Sequence, residues 1–232
     1  MIKSEELKDN FSQMASLIGD KARAKMLWSL LDGRAYTATE LANAADITKQ
    51  ACSHHLAKLV SANLLQSVKQ GRHKYYRYAS DEVAQVIESL AYLLPHPPMD
   101  SSTCSHQKLG LQYARSCYDH LAGELGVNIT QALVQQNILL PFPEHYQLGE
   151  NAHSFFSSLD IDIQTTQKTN RKFAYPCLDW SERKPHLAGA LGAALLDRVL
   201  ARDWLRRKQD SRALILTGAG ARGFEAWLKG KI

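Results

Sequence analysis

Residues 36–80 read YTATELANAADITKQACSHHLAKLVSANLLQSVKQGRHKYYRYAS, and how this stretch folds decides the rest of the chain. Thr37 and Glu40 have the spacing of a capping box, in which a hydroxyl and a carboxylate satisfy free amides at a helix start. A short helix should follow, with Leu41 and Ala44 facing inward. Residues 45–48 make a turn, and Thr48 is placed to cap a second helix running to about Ser61. On that helix Cys52, Leu56, Leu59 and Val60 recur at i, i+4, i+7 and i+8, which makes one apolar stripe. Gln50, Ser53, His54 and Ala57 occupy another face, with Lys49 and Lys58 at its margins. Small hydrogen-bonding side chains flanked by cations suit a helix in the DNA major groove, where base edges need donors and acceptors. An ordinary solvated face has the same composition, so this helix alone leaves both readings open.

The following segment decides between them. Leu64 to Lys69 and Tyr75 to Tyr78 are strand-like, with a turn at Gln70, Gly71, Arg72 and His73. Lys69, Arg72, His73, Lys74 and Arg77 lie in this hairpin without an acidic residue among them. A helix-turn-helix followed directly by a basic hairpin is a winged helix, its wing laid along the phosphate backbone. The run KQACSHHLAKLVSANLLQSVKQGRHKYYRY resembles the recognition helix and wing of the ArsR/SmtB family of bacterial repressors, over roughly the first 95 residues. The resemblance implies a homodimer on palindromic double-stranded operator DNA, with Thr48, Lys49, Gln50, Ser53, His54, Lys58, Arg72 and Lys74 at the interface. It also implies that the first and last helices of the domain build the dimer. Those helices carry Leu7, Phe11, Met14 and Ile18 before the core, and Val83, Val86, Ile87, Leu90 and Leu94 after it. Asp20 and Ser80 are the expected caps of the flanking helices.

With 232 residues, 45% hydrophobic and 22% charged, the composition is that of a soluble globular protein able to form two modest domains. The net charge of +5 favours a polyanionic partner only mildly. The charged N-terminus MIKSEELKDN has no apolar leader, and no apolar run is long enough to span a bilayer, so the expected compartment is the cytoplasm with no membrane partner. Cysteines 52, 104, 117 and 177 form no close CxxC pair.

Residues 95–98, PHPP, mark a boundary. The expected organisation is a DNA-binding and dimerisation domain at 1–95, a linker at 96–106 and an effector domain at 107–232. That last part contains an internal repeat, at 117–159 and 177–228. One copy opens C-Y-D-H-L-A-G-E-L-G from Cys117. The other opens C-L-D from Cys177, inserts residues 180–185, and resumes H-L-A-G-A-L-G from His186. Each copy is expected to run helix, helix, strand, helix, with Gly123 and Gly189 at a close approach of the two copies. The fold class is thus mainly α with small β wings, α+β: a winged helix-turn-helix plus two related helical units.

For the C-terminal half three effector chemistries fit. The favoured one is a small organic ligand, with Trp180 as an aromatic wall, Arg183 as an anion clamp, and Asp179 and His186 as directional hydrogen-bonding groups. A second is zinc or a similar divalent ion, since Cys117, Asp119, His120, Cys177, Asp179 and His186 supply suitable ligand types. The six-residue insertion argues against it by breaking the spacing in one copy. A third is a thiol switch among Cys104, Cys117 and Cys177. The metal boxes familiar in the resembled family have no counterpart: residues 37–44 hold no Cys or His, and residues 80–94 offer Asp81, Glu82 and Glu88 but no His. GAGARG at 218–223 spells GxGxxG, but a dinucleotide fold needs a further parallel strand and an acidic residue some twenty positions on, beyond Ile232. It reads as a strand-to-helix turn. No G-x-S-x-G or comparable nucleophile arrangement is present, so no enzyme is expected.

Overall fold

The computed structural model describes residues 4–93, 110–209 and 211–228. The chain falls into two compact units, Met1–Ala91 and Tyr92–Ile232. The proline stop at 95–98, the linker at 96–106 and Cys104 lie outside the described residues.

The N-terminal unit begins with α1 (Ser4–Gly19) and α2 (Lys21–Leu30). Asp20 caps α2 by accepting from the amides of Ala22 and Arg23. A two-residue strand β1 (Tyr36–Thr37) leads into α3 (Ala38–Ala45) and α4 (Lys49–Ser61). The capping box is present: the Thr37 amide donates to Glu40 at 2.7 Å and the Glu40 amide to the Thr37 hydroxyl at 3.3 Å. Ala45, rather than Ala44, is buried with Leu41 on α3. Asp46 turns the chain in the left-handed region, and Thr48 caps α4 through the Ala51 amide. Strands β2 (Leu65–Gln70) and β3 (His73–Tyr78) form the wing, with β1 on the other edge of β3. Helix α5 (Asp81–Ser89), capped by Ser80, passes into a 3-10 turn at Leu90–Leu93. Ile87 and Ala84 point inward, while Val86, Leu90 and Leu93 are exposed, as are Leu7 and Phe11 on α1.

The C-terminal unit departs from the predicted element order. Each copy is a hairpin, a helix, a second hairpin and further helix. The first runs β4 (Arg115–Cys117), β5 (His120–Ala122), α6 (Gly123–Gln135), β6 (Leu139–Pro141), β7 (Tyr146–Leu148), α7 (Ala152–Ser157) and α8 (Ile163–Gln167). The second runs β8 (Tyr175–Leu178), β9 (Pro185–Ala188), α9 (Ala190–Ala201), β10 (Leu205–Arg207), β11 (Leu214–Leu216) and α10 (Gly218–Leu228). The cysteine of each C-x-D therefore sits in one strand and H-L-A in the next, with Asp119 and Asp179 in the connection between them. Three-residue strands are too short to show alternation, and leucine with alanine is equally at home in a helix.

The two copies repeat each other's backbone bonds where strand turns into helix. The amides of Glu124 and Leu125 donate to the carbonyls of Gln112 and Tyr113, and those of Ala190 and Leu191 to Lys172 and Phe173. Between copies, the Leu214 amide donates to Ala114 and the Tyr146 amide to Ala174, a reciprocal pair. Helix α6 packs on β9 and α9 on β5, so each helix covers the other copy's hairpin. One core joins both, including Leu121, Leu125, Leu133, Phe156, Leu187, Leu191, Leu196 and Phe224. Gly123 and Gly189 turn strand into helix at φ 81° and 88°, with a carbonyl of their own copy less than 3 Å from where a Cβ would sit. They serve that local turn, and it is Gly192 that lies against the other copy, where a Cβ would sit 3.2 Å from the His120 Cβ.

The GxGxxG run forms the start of α10 after an antiparallel pair, β10–β11. A Cβ on Gly220 would lie 2.1 Å from the Trp204 carbonyl, and one on Gly223 would lie 2.5 Å from the Trp204 ring. These glycines admit a tryptophan where a dinucleotide fold would admit a phosphate.

Candidate functional site

Two clusters of chemistry-bearing side chains stand out, one in each unit. In the N-terminal unit Cys52, Leu56 and Leu59 bury the inner face of α4. The Cys52 thiol donates to the Ala38 carbonyl at 3.3 Å, and burial pushes its pKa up, which makes it a packing group. The opposite face is in solvent: Thr48, Lys49, Gln50, Ser53, His54 and Lys58 are all exposed. Ser53 donates its hydroxyl hydrogen to the Lys49 carbonyl, which leaves its oxygen lone pairs outward as acceptors.

The wing register places Lys69 opposite Lys74 and Gln70 opposite His73 around a tight turn at Gly71 and Arg72, all exposed. Lys69 and Lys74 are thus like charges directly opposed on a hairpin, an arrangement that is destabilising by itself. Tyr78 anchors the base of the wing, its buried hydroxyl donating to the Leu27 carbonyl of α2. His55, which the sequence did not single out, meets Arg23 and Asp20 and ties α4 to the start of α2.

The second cluster lies inside the C-terminal unit. Cys117 pairs with His120 across β4–β5, and Cys177 pairs with His186 across β8–β9. The two residues of each pair face each other across a hairpin; they do not share a helix face. The insertion leaves this pairing intact, because its extra residues extend the loop between β8 and β9 beyond the strands. The four ligand atoms lie within 4.8 Å of one another, with Sγ of Cys117 and Cys177 at 4.0 Å and Nε2 of His120 and His186 at 3.2 Å. Cys117, His120 and His186 are buried and Cys177 is half-buried.

Carboxylates back both rings. Asp119 Oδ1 is 3.3 Å from Nδ1 of His120, and Asp179 Oδ2 is 3.2 Å from Nδ1 of His186, there at an ion-pair distance without full hydrogen-bond alignment. Burial pulls the His120 imidazole down, but Cys117 and Asp119 outweigh it and its pKa is pushed up to about 10. Asp119 also meets Arg171 at 2.6 Å.

Asp179 is wholly buried. It accepts from Arg115 at 2.9 Å and the Gly123 amide at 2.7 Å on one oxygen, and from Ser181 and the Glu182 amide on the other. Burial would raise its pKa, but His186, Arg115 and the Gly123 amide hold it well below the usual carboxylate range. Trp180 lies over the Arg115 guanidinium, 4.3 Å to the ring centroid. Arg183 stands exposed in the loop at φ 54°. The four residues expected to hold an organic ligand are therefore not brought together as one wall: Asp179 and His186 are spent inside the core, and Arg183 faces solvent. Sequence gave no sign of Arg115, whose partner lies 64 positions away.

Comparison with known proteins fits the first cluster. A helix-turn-helix domain model matches residues 18–68. The chain is 43% identical to the uncharacterized HTH-type transcriptional regulator YdfF of Bacillus subtilis over 223 residues, 96% of this chain and 99% of that one. The chain belongs to the helix-turn-helix transcriptional regulators. The matched helix-turn-helix lies in its N-terminal unit and is followed there by the two-stranded wing. The regulator is also 31% identical to the HTH-type transcriptional regulator KmtR of Mycobacterium tuberculosis over 80 residues, 34% of this chain and 61% of that one. Among solved structures, reduced HlyU from Vibrio cholerae matches 41% of this chain and 100% of its own, at 25% identity and a TM-score of 0.36. No helix among the described residues is long and apolar enough to cross a membrane.

Proposed function

We propose that this regulator acts as a homodimeric repressor on palindromic operator DNA and leaves it when the C-terminal unit takes up an effector. The observation that carries the reading is the split character of α4. Its inner face is sealed in the core, and Gln50, Ser53 and His54 stand in solvent between Lys49 and Lys58. In this assignment Gln50, Ser53 and His54 read base edges. Lys49, Lys58, Arg72 and Lys74 meet phosphates, and Thr48 fixes the start of the reading helix. Leu7 and Phe11 on α1, with Val86, Leu90 and Leu93 after them, supply exposed apolar surface suited to a second copy. A two-fold operator then meets two recognition helices one turn of DNA apart.

Fluorescence anisotropy on DNA from the promoter of its own gene, against random duplex, tests the reading. Ser53→Ala and His54→Ala should reduce preference for the operator. Arg72→Ala should weaken both duplexes alike and lower the salt slope by about 1 per protomer. Equal losses on both duplexes for all three variants would refute the division of roles.

A further inference from the structure

We propose that Cys117, His120, Cys177 and His186 form a tetrahedral site for a divalent zinc-type cation, two ligands from each copy of the repeat, and that this ion is the effector. The site stands on its own geometry, whereas its role as effector rests on the regulator reading above.

Distances carry the first part. A tetrahedral zinc with Zn–S of about 2.3 Å and Zn–N of about 2.0 Å sets its sulfurs about 3.8 Å apart and its nitrogens about 3.3 Å apart. The side chains here stand at 4.0 Å and 3.2 Å. The hydrogen-bonding logic agrees. A carboxylate beside each Nδ1 favours the tautomer with its proton there, which leaves both Nε2 lone pairs aimed at the same point. At that separation the two nitrogens need either a shared proton or a cation between them. A shared proton satisfies the two nitrogens alone, but a metal ion also accounts for the two sulfurs converging on the same place.

Soft thiolates with imidazoles in a closed four-ligand shell select zinc over magnesium or calcium. The balance is Zn²⁺ plus two thiols and two neutral imidazoles giving a neutral centre and two released protons. Asp119–Arg171 and Asp179–Arg115 are already neutral pairs beside it. Each hairpin supplies one Cys and one His, so the ion ties the first copy to the second.

The test uses the full-length chain, purified without a histidine tag and stripped by chelator, with Co²⁺ as the probe. The expected result is one equivalent per chain, the intense visible band of tetrahedral Co²⁺, thiolate charge transfer in the near ultraviolet, and displacement by Zn²⁺. Losing a carboxylate behind a ligand already costs about 10–100-fold in affinity, so Cys177→Ser, which removes a ligand itself, should cost at least about 100-fold. If that variant unfolds, the spectrum of the unaltered chain decides alone. No saturable binding, or a weak octahedral spectrum, would mean a shared proton only and overturn the site.

Operator affinity is then measured with one equivalent of Zn²⁺ and with chelator. A change of about 10-fold or more, within the ordinary range of allosteric coupling, supports the effector role. Binding of metal with unchanged operator affinity overturns that role and leaves the site standing. Failure of both forms to recognise the operator would sink the regulator reading, with the Co²⁺ spectrum still judging the site.

Discussion

Asp119 and Asp179 hold the same place in the two copies, third in a C-x-D motif and beside the Nδ1 of a histidine, yet replacing them with asparagine should have very different costs. Asp179→Asn exchanges one carboxylate oxygen for an amide nitrogen in a site with no solvent. Oδ1 keeps three donors, the Ser181 amide and hydroxyl and the Glu182 amide. Where Oδ2 now accepts from Arg115 and Gly123, the new NH₂ group meets two donors head on. The side chains of Arg115 and Asp179 are both 0% exposed, so the guanidinium is left charged and short of its partner. Removing one member of such a buried pair costs about 3–5 kcal/mol.

For a unit of about 140 residues, at roughly 2.1 cal/mol/K of unfolding entropy per residue, that cost corresponds to a fall in Tm of about 10–17 °C. Asp119 and Arg171 are 24% and 33% exposed, and a pair so hydrated is worth at most about 1 kcal/mol, or about 3 °C. Differential scanning calorimetry of both variants in chelator, with Trp180 fluorescence reporting the ring stacked over Arg115, separates the two. Equal shifts, or a shift below about 3 °C for Asp179→Asn, would refute the reasoning that burial, and not motif position, sets the cost.

Three other measurements bear on different parts of the molecule. Gly223→Ala drives a methyl group into the Trp204 ring and should cost about 1–3 kcal/mol by overpacking, read as a lower Tm in the C-terminal unit with DNA binding retained. Asp20→Ala removes the cap of α2 at about 1 kcal/mol near neutral pH; because the Arg23 amide bond lowers the folded pKa of Asp20, its contribution is present above the unfolded value of 3.8 and lost as pH falls through the folded one, so the two melting curves should converge only in strong acid. In the native chain an aromatic disulfide reagent should modify Cys177 far faster than buried Cys52, and one equivalent of Zn²⁺ should protect Cys177; modification unaffected by zinc would count against ligation by that sulfur.

The N-terminal half was legible almost residue by residue because its signals are local. A capping box fixes Thr37 and Glu40 within one turn, Thr48 caps its own helix, and a four-position stripe on α4 has one way to face inward. The C-terminal half was legible as a repeat but not as a structure. Its strands are three or four residues long, and their leucines and alanines carry no period that separates strand from helix. What fixes Cys117 against His120 is hairpin register, and what sets that pair against Cys177 and His186 is packing between copies; neither is encoded in the spacing of one segment. The organic-ligand reading of Trp180 and Arg183 failed to anticipate Arg115, since a salt bridge over 64 positions leaves no trace in sequence order.

The same geometry explains why an insertion that looked disruptive is tolerated. In β4–β5 the chain passes from Cys117 to His120 through two residues, with Tyr118 in the left-handed region. In β8–β9 it leaves the strands at Leu178, makes a longer loop and returns at Pro185, so the Cys–His pairing behind the loop is unchanged. The extra length lets Asp179 fold back onto Arg115 and the Gly123 amide of the first copy, where Asp119 of the shorter hairpin meets Arg171 instead. The pairing of each cysteine with its histidine is thus the same in both copies despite the difference in loop length. A site divided two and two in this way is incomplete until both copies have folded and packed. An ion entering it therefore stabilises the whole C-terminal unit and not one hairpin, which is the property an effector needs if its binding is to be felt beyond its own ligands.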